Sequence, residues 1–85
     1  MKTKLLKLNK IEITNHFKKH PPNSKKLANK RKHVEDTGYF KESIVVIKSG
    51  WWLWSKYTLI DGYTTYLIAK NDYKFDRFEV MVVAA

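Results

Sequence analysis

Thr58-Leu59-Ile60-Asp61-Gly62-Tyr63-Thr64-Thr65-Tyr66-Leu67-Ile68-Ala69-Lys70 is the stretch on which the fold turns. Residues 51–60 (WWLWSKYTLI) are aromatic and β-branched and read as a strand. Asp61-Gly62 ends it, because Gly reaches backbone angles closed to other residues and Asp hydrogen-bonds within turns. Residues 63–70 then have helical character, despite two threonines in the first turn. A strand therefore runs into a helix through a turn centred on Gly62.

Working outward, residues 44–48 (IVVIK) form a short β-branched apolar run, the pattern of a buried strand. Ser49-Gly50 marks a turn, so residues 44–48 and 51–60 are expected to pair as a hairpin. Residues 78–83 (FEVMVV) read as a last buried strand after a loop at 71–75. Upstream, Asn23 or Ser24 can cap a helix over Ser24–Thr37 that Gly38 terminates. On that helix Leu27, Ala28 and Val34 share an arc, with Arg31 between them and the other lysines mostly opposite. A strand is expected near residues 7–13, ending in Ile11-Glu12-Ile13. A connector follows, with a short helical turn around Phe17, before Pro21-Pro22. The order is β-α-β-β-α-β. It predicts a mixed α/β (α+β) domain over residues 1–85, with helices on one small sheet of about four strands.

With these elements placed, residues 58–70 resemble the strand–turn–helix signature of the ParB/sulfiredoxin-like domain family. There an apolar strand enters Asp-Gly, followed by an aromatic or polar residue, an arginine and an Ala-rich helix. The likeness extends over most of residues 7–83, and residues 61–69 are its specific part. It implies the ParB/sulfiredoxin-like fold and a phosphate pocket at the turn. Two departures limit what it implies. The family's phosphate-clamping arginine position holds Thr64 and Thr65, and the sulfiredoxin catalytic cysteine is missing because the chain has no cysteine. Nucleotide hydrolysis, nuclease and reductase activities are therefore not implied. The helix-turn-helix region of chromosome-partitioning ParB has no counterpart in these residues. Stand-alone domains of this kind resemble those of phages and mobile elements.

Composition narrows the function classes. With 44% hydrophobic and 14% aromatic residues, the 85-residue chain is globular. No apolar run approaches the roughly 18 residues of a membrane span. The N-terminus alternates Lys with Leu and lacks a signal-peptide core. Absence of cysteine excludes disulfides and thiol chemistry, and it fits a cytoplasmic setting. The net charge is +9. Residues 1–33 carry eleven Lys and Arg against one acid, Glu12, whereas residues 34–85 carry six against seven acids. That asymmetry points to a basic surface for DNA or RNA, or else to a solvated face.

Candidate sites follow, each beside a plainer reading. Gly62, Tyr63, Thr64 and Thr65 open a helix after a strand, where free amides and the helix dipole suit an anion. The same residues serve equally as a helix cap. Arg31 could supply the missing cation, or pair with Glu35 or Asp61. Lys18, Lys19, Lys25, Lys26, Lys30 and Lys32 are the candidate phosphate contacts. Trp51, Trp52, Trp54 and Tyr57 suit base stacking or core packing. His16, His20 and His33 match no metal spacing, so neither metal nor cofactor is expected. No catalytic constellation is visible. The expectation is a non-catalytic binding module for nucleic acid; the alternatives are an accessory protein docking on a host protein, or a residual nucleotide pocket.

Overall fold

The computed structural model describes residues 2–50 and 55–84. Among them a five-stranded sheet runs in the order β1-β5-β3-β4-β2. The strands are β1 (Lys2–Lys7), β2 (Ile11–Glu12), β3 (Val45–Ser49), β4 (Lys56–Asp61) and β5 (Arg77–Ala84). The helices are α1 (Asn15–Lys19), α2 (Ser24–Thr37) and α3 (Tyr63–Leu67), which continues into a π turn at Ile68–Asp72. β1/β5 and β3/β4 are antiparallel, whereas β3/β5 and β2/β4 are parallel. The mixed α/β order and the β3–β4 hairpin are as the sequence predicts. Residues 51–54, at the start of the strand read over 51–60, lie outside the described residues.

The sheet has one strand more than expected, and the N-terminal segment explains it. Within the strand expected near residues 7–13 only Ile11–Glu12 is extended as β2; a 3-10 turn at Leu8–Lys10 precedes it, and β1 over Lys2–Lys7 is the added strand. Leu6, Leu8 and Ile11 are all buried. Their spacing of two and then three breaks the period-2 alternation of a single strand. The turn restores alignment, so β1 covers one edge of the sheet and β2 the other.

One face of the sheet carries the core. Leu6, Val46, Leu59 and Val80 point to it from β1, β3, β4 and β5, and Ile44, Tyr66 and Ala69 pack against them. Val46, Ile44 and Val80 are fully buried. A bulge separates the pairs Val45–Asp61 and Val46–Leu59, which leaves Ile60 as the extra residue and exposed.

α2 has the expected ends. The Asn23 side chain accepts a hydrogen bond from the Lys26 amide at 2.8 Å, and Gly38, at φ 79°, closes the helix in the left-handed region. Its inward line differs from the expected arc. Val34 is buried and Leu27 half-buried, but Ala28 is exposed and Lys30 takes a half-buried place. Positions 27, 30 and 34 follow the three- and four-residue spacing of one helix face, so the stripe is narrow and partly polar.

Candidate functional site

The turn between β4 and α3 is built around Gly62. Its φ is 82°, the left-handed region that side chains disfavour. A Cβ placed there would lie 2.3 Å from the Ser43 carbonyl oxygen and 2.9 Å from Ile44 Cα. Both the angle and the close approach of the chain leading into β3 therefore require glycine. The Gly62 amide donates to the Asp61 carboxylate at 2.8 Å, and the Gly62 carbonyl accepts from the Tyr66 amide at 2.9 Å, opening the helix. Thr64 and Thr65 are buried. The Thr65 hydroxyl donates to the Glu42 backbone carbonyl at 2.9 Å, tying the segment before β3 to α3. Tyr63 packs its ring 5.3 Å from that of Phe17 on α1.

A small cleft of about 150 Å3 lies over this turn, lined by Phe17, Lys26, Glu42, Asp61, Tyr63 and Thr64. It brings Gly62, Tyr63 and Thr64 together, as expected of a phosphate pocket. Its charge is balanced rather than cationic, since Glu42, itself paired with Lys30, and Asp61 stand beside the ammonium of Lys26. Arg31 does not line it. The Arg31 guanidinium is bidentate to the Asp72 carboxylate after α3, rather than paired with Glu35 or Asp61. That hydrogen bond holds Arg31 above its ordinary value, countered in part by burial and supported by the charges of Asp72 and Glu35.

The candidate phosphate contacts divide into two groups. Lys18 and Lys19 on α1, and Lys25, Lys26 and Lys32 on α2, are exposed, and none makes a salt bridge among the described residues. Lys30 is different. Its ammonium meets the Glu42 carboxylate at 2.6 Å. The Lys30 hydrogen bond holds Glu42 below the usual carboxylate range, against a smaller opposing effect of burial, with the charges of Lys30, Lys26 and Lys41 adding to it.

The arrangement of a sheet with a strand–glycine–helix turn at its edge has a match among solved structures. The chain superposes on a structure described as the pNOB8-like ParB N-domain with a TM-score of 0.71, over 99% of its length and at 19% identity. The chain has the ParB-like fold. It spans 28% of the length of that longer chain, and at this identity the likeness is one of fold. No family model matches the chain, and no curated protein matches it.

On this ParB-like scaffold, the His16 and His20 rings lie 4.8 Å apart and tilted, while His33 meets Tyr39 edge-to-face beyond the far end of α2. Among the described residues no group of three His, Cys, Asp or Glu is placed to hold a metal. No described helix is long and apolar enough to cross a membrane. Trp51, Trp52 and Trp54 lie outside the described residues, whereas Tyr57 is half-buried on β4. Two carboxylates that shape the site escape sequence reasoning, Glu42 and Asp72. Each pairs with a cation 12 or 41 residues away, so no local spacing betrays it. An aromatic cluster of Phe40, Tyr73, Phe75 and Phe78 is likewise hidden in loop and strand termini, with ring centroids 5.1 to 6.1 Å apart.

Proposed function

We propose that this ParB-like domain is a non-catalytic module that binds nucleic acid through the lysine face of α1 and α2. The observation that carries it is the set Lys18, Lys19, Lys25, Lys26 and Lys32, all exposed and none in a salt bridge among the described residues. Ammonium groups on mobile stems neutralise phosphates without reading bases, so affinity follows charge and not sequence. The fold likeness to a ParB N-domain is consistent with this reading. The cleft at Gly62 supports a phosphate site less well, because its cations are already matched by the carboxylates of Glu42 and Asp61 and the Thr65 hydroxyl is already engaged.

Fluorescence anisotropy with a labelled duplex over a salt series tests the proposal. Four phosphate contacts give a slope of log affinity against log salt of about −3 to −4. Absence of measurable binding at about 50 mM salt, where such attraction is strong, would overturn it. Capture of a host protein that survives nuclease treatment, with no duplex binding, would favour docking on protein instead. Steady turnover of nucleotide or DNA that disappears on Thr64→Val would overturn the non-catalytic part.

A further inference from the structure

The core face of the sheet continues beyond the helices into an open groove of about 490 Å3. Lys2 and Lys4 of β1, Lys48 of β3, Tyr57 of β4 and Val82 and Ala84 of β5 line it. Period-2 alternation places these side chains on one face: Lys2 and Lys4 precede Leu6, Lys48 follows Val46, Tyr57 precedes Leu59, and Val82 follows Val80. β1 and β4 are not neighbours, yet their side chains meet over the intervening strands. The Lys4 ammonium donates to the Tyr57 hydroxyl at 2.9 Å and sits 5.3 Å from the centre of its ring. The floor is apolar. Among the described residues no carboxylate lines the groove, and Lys2, Lys4 and Lys48 make no salt bridge.

From this juxtaposition, and resting on the nucleic-acid reading above, we infer that the sheet groove is a second site, for single-stranded nucleic acid. Three cations with no salt bridge among the described residues, set around an aromatic ring, suit a ligand that carries phosphates and planar bases together. The volume falls within the range of about 300–1,000 Å3 of small-ligand sites, enough for one nucleotide unit. A duplex keeps its bases stacked inside and offers the ring nothing. A single strand lays a base on Tyr57, which releases the Lys4 ammonium from the ring to a phosphate oxygen. The two surfaces thus act on different parts of the ligand. α1 and α2 meet the backbone charge of any nucleic acid, and the sheet stacks an unpaired base.

The test compares a labelled oligothymidylate with a duplex of equal length, by anisotropy, on wild type and three variants: Tyr57→Leu, Lys48→Glu and Lys26→Glu/Lys32→Glu. Tyr57→Leu is expected to weaken the single strand by about 5- to 150-fold, the range of one aromatic–base stack, with little change for the duplex. Lys48→Glu, on an exposed side chain, gives the same selective loss with the ring itself retained. Lys26→Glu/Lys32→Glu weakens the duplex and the single strand together, because both carry the phosphates that the helices meet. If both groove variants bind the single strand as tightly as wild type does, the groove proposal falls while the helix reading stands. Duplex binding without single-strand binding has the same meaning. Single-strand binding lost only in the groove variants, with no duplex binding, sinks the helix reading and keeps the groove. Equal displacement of the oligothymidylate by poly-glutamate at matched charge would also overturn the proposal, since it would reduce the site to unspecific charge.

Discussion

Gly62 and Gly38 form a matched pair that isolates the close approach at the candidate turn. Both have a φ near 80°, so alanine at either suffers the left-handed strain of roughly 1–2 kcal/mol. At Gly38 a Cβ meets nothing within 4 Å, and that strain is the whole cost. At Gly62 the Cβ would stand 2.3 Å from the Ser43 carbonyl oxygen, and the obstacle is backbone that leads straight into the central strand β3. Backbone displacement of this kind adds roughly 1–3 kcal/mol, by analogy with overpacked cores. Gly62→Ala is therefore expected to cost about 2–5 kcal/mol and Gly38→Ala about 1–2 kcal/mol. For a domain of this size total stability is on the order of 4–13 kcal/mol, so the first change removes a large share of it. Urea unfolding followed by far-ultraviolet circular dichroism measures both, with equal slopes taken as the sign that the unfolded states match. Equal losses in the two variants would refute the argument. They would mean that the turn has room for a side chain and that only the backbone angle calls for glycine.

Four further outcomes are expected. Thr65→Val removes the donor to the Glu42 carbonyl and should cost about 1 kcal/mol in urea unfolding, with faster amide exchange before β3. The lowered Glu42 value means that the Lys30–Glu42 pair stabilises the fold above the ordinary carboxylate range and loses that contribution as pH falls through the depressed folded value. Because both groups are partly exposed, the stability difference between wild type and Glu42→Gln should be no more than about 1 kcal/mol at neutral pH and vanish in acid. The same Glu42→Gln change frees Lys30, so duplex binding should tighten and its salt slope steepen by about 0.9, provided Lys30 then reaches a phosphate. Lys26→Glu/Lys32→Glu should leave the melting temperature within a few degrees of wild type, since both side chains are exposed, while flattening the slope.

Much of the fold was legible because local chemistry and tertiary role agree where it matters. Asn23 and Gly38 delimit α2 as their side chain and backbone freedom dictate, and Asp61-Gly62 marks the β4–α3 junction for the same reasons. The N-terminal strands were harder. Their division depends on Leu8 turning inward at a 3-10 step, a choice made by the distant carbonyl of Asp76, which accepts from the Leu8 amide at 3.0 Å. The inward face of α2 failed for a related reason. Ala28 is apolar enough for either environment, and the decision fell to the partner available to Lys30.

The candidate sites divide along the same line. A run of lysines on one helix announces a basic face, because seven-residue spacing sets Lys25 and Lys32 on one side without reference to the rest of the chain. The charge of a cleft is another matter. Arg31 looked like the cation of a phosphate pocket, and the fold gives it Asp72 instead, while the pocket itself receives two carboxylates. The sheet groove shows the reverse case. Lys2, Lys4, Lys48 and Tyr57 come from three separate segments, and each taken singly is an ordinary solvated or strand residue. They become a site only because the strand order inserts β5 and β3 between β1 and β4, which sets their side chains across one apolar floor. Strand order is a long-range property, so a function written in it is invisible to spacing and available only once the sheet is assembled.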